Sequence, residues 1–211
     1  MTETMKVLEA IGQLKIQEDR IEKALVSLDV VAANRVTAKK VNGITKEEFE
    51  RNAKSSFDSV TSLLKRYMAL KEAINQFNAA TKITVCGKEM TVATALYQKE
   101  WGINQRKKVL NYLTTLLVKA EERVRIENGD KLDAAAERNA KQNFEGDPKS
   151  DAKEYLKFLE DYKDAHMYEL IDPLKIREKI EKMSKDISDF EAGVDTQIQI
   201  ANATTDITIE Y

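Results

Sequence analysis

Eight polar residues carry the chemistry that this sequence could perform. Asparagine and threonine side chains hydrogen-bond either a polar ligand or the local backbone, and lysine and arginine bind anions. The set is Asn78, Thr81, Lys88, Thr91, Arg106, Asn202, Thr204 and Thr205. We predict that they form a polar pocket for a small anionic ligand, where a hairpin meets the C-terminal tail. The alternative is that they only stabilise two turns that abut.

The segment around Gly87 resembles the end of a phosphate-binding loop. The earlier glycine that such a loop requires is absent, because Lys82 stands at its position. Backbone amides at the start of a helix beginning near Thr91 could still hold an anion, although a tight turn explains Gly87 better. Arg106 opens a short basic run over residues 106–108, and the neighbouring acids favour a solvated face over a phosphate patch.

Neither a nucleophile–base pair nor a metal-ligand cluster is evident. The chain has one histidine, His166, and one cysteine, Cys86, which excludes a His-rich metal site and an internal disulfide. His166 follows Tyr162 by one helical turn, so packing is favoured over acid–base work. Tyr155, Tyr162 and Tyr168 could stack on a flat ligand, but packing is again favoured. We predict no catalytic residue, no metal and no cofactor.

Composition indicates helices and few turns. Charged residues make up 33% and apolar residues 42% of the chain, with 2 prolines and 7 glycines. A net charge of −2 gives no general attraction to nucleic acid or to an anionic membrane. Long apolar runs are lacking, and residues 1–4 do not begin a signal peptide, so we expect no membrane partner and a cytoplasmic location.

The clearest structural pattern is a heptad repeat in the first half of the chain. Its apolar positions alternate in steps of four and three: Phe49, Ala53, Ser56, Val60, Leu63, Tyr67, Leu70, Ile74 and Phe77. A helix of about 33 residues is ~50 Å long and needs packing partners along its length. Thr45 and Glu48 form a capping box that starts this helix, each side chain serving the other residue's backbone amide.

Similar seams predict further helices. The first covers about residues 4–28, with its seam at Val7, Ile11, Leu14, Ile21, Leu25 and Leu28. A third starts at Thr91 and breaks at residues 128–130, where asparagine, glycine and aspartate follow one another. Two Asp-Pro pairs, at residues 147–148 and 172–173, predict two more helix starts. Gly193 is the predicted C-terminal cap of the last helix.

Alternating apolar residues predict two β elements. One is a small hairpin at about residues 81–92, and the other is a C-terminal β segment at about residues 197–211. We expect the two to pair, within the chain or between subunits. The predicted fold is mainly α, with long antiparallel helices in a coiled-coil-like bundle that forms a single helical domain over residues 1–211. Residues 130–172 are a candidate inserted helical subregion.

Three short segments carry a resemblance to a known family. They are residues 74–81 (INQFNAAT), residues 87–92 (GKEMTV), and residues 194–205, which end in NATT. In this order they resemble the septicolysin-like family of small helical proteins, and most closely its phage-borne branch. The resemblance covers about residues 60–120 and 190–211, while residues 125–172 depart from it. It implies a helical core with a small β element, self-association and no established reaction.

These features predict a function based on binding. We expect a non-catalytic, phage-borne homo-oligomer that captures a host defence protein or a small nucleotide signal. The alternative is a structural or assembly protein of a phage particle. Capture is slightly preferred because an assembly rod would not need a polar pocket. Two further alternatives are an enzyme using unrecognised carboxylates or tyrosines, and a membrane-lytic protein, which the mixed charge of the helices disfavours.

Overall fold

The computed structural model describes all 211 residues and is mainly α, as the sequence predicts. It divides into two compact units. The first unit contains Met1–Gly102 and Asp189–Tyr211, and the second contains Ile103–Ser188. The single domain over residues 1–211 stays a prediction, as does the inserted subregion 130–172, whose residues all belong to the second unit. None of the helices is long and apolar enough to cross a membrane.

The first unit combines long helices with short antiparallel strands. In chain order its elements are β1 (Thr2–Lys6), α1 (Val7–Val26), β2 (Lys40–Val41), β3 (Ile44–Thr45), α2 (Lys46–Ala80), β4 (Lys82–Val85), β5 (Lys88–Thr91), α3 (Val92–Tyr97) and a π-helical stretch (Gln98–Gly102). The second unit contains α4 (Ile103–Ile126), a π-helical stretch (Glu127–Lys131), α5 (Leu132–Asn143) and α6 (Ala152–His166). Helix α7 (Ile176–Thr204) belongs to the second unit up to Ser188 and to the first unit beyond it, and β6 (Asp206–Glu210) ends the chain.

The predicted long helix is confirmed as α2. Thr45 Oγ1 accepts a hydrogen bond from Glu48 N at 3.2 Å, so the predicted cap starts the helix. Every heptad position is buried or half-buried, and the burial is complete at Leu70, Ile74 and Phe77. The seam is therefore fully packed only toward the C-terminal end of the helix and is half-buried before Leu70.

Helix α1 is rotated relative to the predicted seam. Val7 and Gln17 are buried, whereas the predicted seam residues Ile11 and Leu25 are exposed. The small side chain of Ala10 packs in the same core cluster as Leu70 of α2, where a larger residue would hold the helices apart. Helix α1 also begins at Val7 rather than near residue 4, because residues 2–6 form β1. The predicted seam is therefore wrong at two of its six positions, Ile11 and Leu25, while the other four are buried or half-buried.

The C-terminal β segment is shorter than predicted, and it pairs with a different strand from the one predicted. Helix α7 passes through Gly193 without ending there, and only Asp206–Glu210 is a strand. Val194, Ile198 and Ala201 are buried at helical spacing, so the helical period outweighs the alternation of isoleucines at 198 and 200. Strand β6 pairs antiparallel with β1, not with the hairpin of residues 81–92.

The predicted turn at Gly87 is confirmed, and so is the turn that the dipeptide Asn42-Gly43 indicates in the sequence. Strands β4 and β5 pair with Val85 opposite Lys88, across a turn in which Cys86 has φ +50° and Gly87 has φ +74°. Positive φ at both central residues is the requirement of a type I′ turn, which glycine satisfies without strain. The turn between β2 and β3 has the same form, with Asn42 at φ +49° and Gly43 at φ +89°.

In the second unit three helix boundaries differ from the prediction. The expected break at residues 128–130 is a kink, in which Gly129 has non-helical angles (φ −87°, ψ −139°) between α4 and α5. The Asp-Pro pairs lie several residues before α6 and α7 rather than at their starts. The Asp172 carboxylate still accepts the Ile176 amide at 2.7 and 2.9 Å, so it serves the start of α7 from four residues away.

Candidate functional site

Four of the predicted site residues lie where α2 passes into the β4–β5 hairpin. The Thr81 amide donates to Phe77 O at 2.9 Å and so ends α2, while Thr91 Oγ1 accepts from Thr94 N at 3.1 Å and so starts α3. Thr81 O in turn accepts from Val92 N at 2.9 Å. Asn78 is half-buried in the last turn of α2, and Lys88 is exposed at the start of β5. Both threonines therefore use their polar groups to join two helices.

The three tail residues lie at the end of α7 and bond to the N-terminal segment. Lys6 Nζ donates to Thr204 O at 3.1 Å and to Asp206 Oδ2 at 2.9 Å. The Val7 amide donates to Thr205 O at 3.1 Å. Asn202 is half-buried, and its side-chain oxygen is buried without a hydrogen-bond partner. Thr204 and Thr205 thus bond to residues 6 and 7 rather than to the hairpin. Arg106 is an exposed residue of α4 in the second unit.

The ends of β1 and β6 are joined to α2 by a charged cluster. Arg66 donates to the Glu3 carboxylate, and the Tyr211 hydroxyl donates to the same carboxylate. The hydrogen bonds from Arg66, and then from Tyr211, lower the pKa of Glu3, while the Glu3 carboxylate raises the pKa of Tyr211. A carboxylate of lowered pKa is a weak base and a phenol of raised pKa is a weak acid, so this cluster suits structure rather than catalysis.

The remaining groups considered for chemistry are engaged in packing. The His166 ring stacks on Tyr162 with 4.0 Å between ring centroids, and His166 Nδ1 lies 2.8 Å from Tyr162 O. Phe144 makes edge contacts with Tyr155 and Phe158. No group of three or more His, Cys, Asp or Glu side chains is arranged to hold a metal ion.

Two exposed aromatic residues escaped the sequence analysis. Tyr97 and Trp101 are 61% and 62% exposed and stand one helical turn apart at the π-helical stretch Gln98–Gly102. Lys99 Nζ lies 2.6 Å from Asp195 Oδ1, which ties the stretch to α7. π-Helical turns are frequent at functional sites, and exposed tryptophan and tyrosine are typical anchors of protein interfaces. The signal available in the sequence was the position of the single tryptophan outside every apolar seam.

A second apolar surface lies on the pair formed by α1 and α2. Its six exposed residues each follow a seam residue by one position, and we call them the α1–α2 face. They are Leu8, Ile11, Leu25, Phe57, Leu64 and Met68, with 42–58% of each residue exposed. One residue is a rotation of about 100° around a helix, so each stripe lies beside its own seam.

Comparison with known proteins gave no match, because no family model, curated protein or solved structure is significantly similar to this chain. The resemblance to the septicolysin-like family therefore stays a prediction. The kind of site that this protein carries is therefore judged from its geometry alone. That geometry offers exposed apolar and aromatic helix surfaces, together with polar residues that cap helices and join strands.

Proposed function

We infer that this chain is a non-catalytic protein that self-associates and works by binding another protein. The supporting observation is the surface it exposes, which is 15347 Å². A compact monomer of 24.0 kDa would expose about 9,900 Å². Two separate compact domains of the sizes of the two units would together expose about 12,000 Å², so the excess does not depend on their arrangement. We attribute this excess to helix surface that partner chains would cover.

Half-buried seams support the same proposal. In α4 only Ile103 is fully buried, although the helix carries an apolar seam of four further residues that are all half-buried. They are Leu110, Leu113, Leu117 and Val124. Apolar seams on long helices are normally completed by neighbouring helices, from the same chain or from copies of it. Self-association would complete the burial of these residues.

The grooves on the surface favour a protein partner over a small ligand. Two surface grooves each run along a single helical segment, one lined by Val118, Glu122 and Ile126 on α4 and the other by Met68, Lys71 and Asn75 on α2. Small-molecule sites are usually enclosed between elements and bury most of the ligand. The slight preference for capture over assembly depends on a polar pocket between hairpin and tail, and no hydrogen bond joins those two groups of residues.

The resemblance to the phage-borne branch of the septicolysin-like family supplies two roles for such a protein. One is capture of a host defence protein, and the other is assembly of a phage particle. Both are associations between proteins, and Tyr97 and Trp101 are the exposed aromatic anchors that either would use. Capture of a small nucleotide signal is the competing proposal.

Light scattering over a hundredfold dilution series tests self-association. We expect a species heavier than 24.0 kDa that dissociates on dilution. A monomer at every concentration would contradict the proposal. Calorimetric titration with a panel of nucleotide second messengers tests the competing role, and saturable heat with any of them would favour small-signal capture over protein binding.

A further inference from the structure

The α1–α2 face lies on one side of an antiparallel helix pair. Ala10 packs in one cluster with Leu70 and Ile74, and Tyr67 Oη donates to Glu18 Oε1 at 2.7 Å, so the two helices run in opposite directions. In an antiparallel pair, a rotation of one residue beyond the seam turns both helices toward the same side. The two exposed stripes therefore form one continuous surface.

The other side of α2 is covered by the chain itself. Ala69 and Ala73, which precede seam residues by one position, pack against the core cluster together with Ile207 and Tyr211. The charged group of Arg66 is on this side as well, bonded to Glu3. Only the side that carries Leu64 and Met68 is left open.

We propose that a second copy of this chain docks on the α1–α2 face, with each α1 antiparallel to the α1 of the other copy and each α2 antiparallel to the other α2. This inference rests on the proposed self-association and assigns it to one surface. The stripe along α1 is complementary to the same stripe of a second copy when the two α1 helices run antiparallel. The opposing pairs in that register are Leu8 with Leu25, Ile11 with Glu22, and Lys15 with Glu18.

This register makes a two-fold symmetric contact in which each pair occurs twice. Lys15 of each copy meets Glu18 of the other, and both residues are exposed in the single chain. The hydrogen bond from Tyr67 holds Glu18 in place before docking, which leaves its second carboxylate oxygen for the incoming lysine. The charges thus select the antiparallel register, because a parallel one would oppose like charges.

The same axis places α2 in a consistent register. Because Glu18 lies beside Tyr67, the midpoint of the α1 stripe is level with Met68. Met68 therefore meets its own copy at the axis, and Leu64 meets the aliphatic stem of Lys71. No like charges are opposed at these positions.

The exposed area is sufficient for a dimer of moderate strength. With about 200 Å² as the full surface of each residue, the six apolar residues expose roughly 600 Å², against roughly 800 Å² per partner in a standard interface. The polar residues within the stripes supply the rest. A patch of this size is at the upper limit of what single-chain proteins leave open.

Charge exchange tests the register. Each single substitution, Lys15→Glu or Glu18→Lys, places like charges opposite each other across the two copies. We expect each to weaken the dimerisation affinity by about tenfold or more, measured by sedimentation equilibrium. The double variant K15E/E18K restores opposite charges and should recover most of that loss. Because Glu18→Lys also removes the bond from Tyr67, recovery in the double variant is the decisive result. The register would be overturned if the single variants dimerised as tightly as the wild type. It would also be overturned if the double variant dimerised no more tightly than the single variants.

A second variant tests the surface independently of the charges. Met68→Glu puts two carboxylates at the axis and should abolish the dimer, whereas Leu156→Glu changes a similarly exposed apolar residue of α6 and should leave it intact. Circular dichroism checks that both variants are folded. Wild-type protein that is monomeric throughout would overturn the proposed function. A wild-type assembly that survives Met68→Glu would overturn only the assignment of this surface.

Discussion

Arg66 of the long helix α2 donates two hydrogen bonds to the Glu3 carboxylate of β1, from Nη2 at 2.8 Å and from Nε at 3.4 Å. The Arg66 guanidinium also lies 5.8 Å from the centre of the Tyr211 ring. Glu3, Arg66 and Tyr211, which are far apart in the sequence, are therefore in contact with one another. It fastens the β1–β6 pair, which is only two strands wide, to the longest helix.

Glu3→Gln should make the unfolding free energy depend less on pH in the acid range. Arg66 holds the pKa of Glu3 below its ordinary value of 4.5, so the carboxylate contributes stability above that pH and loses it as the pH falls through the folded value. At neutral pH we expect the substitution to cost about 1 kcal/mol of unfolding free energy. Urea unfolding between pH 3 and about pH 7 measures both effects.

Glu89→Gln is the matched control for this experiment. Glu89 pairs with Lys82 at 3.3 Å, but both side chains are more than half exposed, so its removal should change little. If the unfolding free energy of Glu3→Gln falls toward acid pH as steeply as that of the wild type, then the Arg66 contact does not stabilise the fold.

Gln17→Leu should stabilise the protein. Gln17 is 1% exposed in the seam between α1 and α2, and its side-chain oxygen has no hydrogen-bond partner. A buried unpaired amide oxygen costs about 1–3 kcal/mol, and leucine of similar size removes that cost. Thermal and urea unfolding would show the gain, and Gln105→Leu at an exposed position of α4 is the control. A loss of stability would mean that the amide of Gln17 has a favourable partner after all.

Gly193→Ala should also stabilise the protein, by about 0.5–1 kcal/mol, because alanine favours a helix interior. An added Cβ would meet Val85 Cγ1 at 3.9 Å, which is an ordinary contact. The sequence-based prediction of a helix cap at Gly193 implies the opposite sign, since alanine is strained at the positive φ of such a cap. Urea unfolding decides between the two, and Gly87→Ala at φ +74° should be destabilising in the same assay.

Cys86→Asn should raise the melting temperature. Cys86 occupies the first central position of a type I′ turn at φ +50°, where asparagine is strongly preferred over other non-glycine residues. The turn at Asn42 and Gly43 already has that preferred pair. Cys86→Val, a β-branched residue at positive φ, should lower the melting temperature. Differential scanning calorimetry under reducing conditions compares the variants, and equal values would show that the turn does not limit stability.

The elements that the sequence predicts well depend on neighbours in the chain. The heptad seam of α2, its cap at Thr45 and the two Gly-containing turns involve residues within a few positions of each other. Thr91 is a comparable case, because its cap on α3 follows from local residue types. Interactions over such distances are decided by backbone geometry and side-chain spacing alone.

The errors occurred where residues distant in sequence compete for the same surface. Ile198 and Ile200 alternate like a strand, but burial of Val194 and Ile198 within the first unit keeps them in α7. The rotation of α1 depends on Ala10 approaching α2, which a single-helix pattern does not reveal. Likewise Thr204 and Thr205 bond to Lys6 and Val7, almost two hundred positions away, so residue types could not indicate their partners.

The sequence by itself therefore determined a mainly α protein with one long heptad helix, one small hairpin and a second tight turn, because these follow from short-range periodicity and turn chemistry. Only the tertiary structure decided that β1 pairs with β6, that Gln17 is buried, and that Leu64 and Met68 stay exposed beside a buried seam. The physical reason is that burial is a property of the packed chain. An apolar residue is core or surface according to which distant segment covers it.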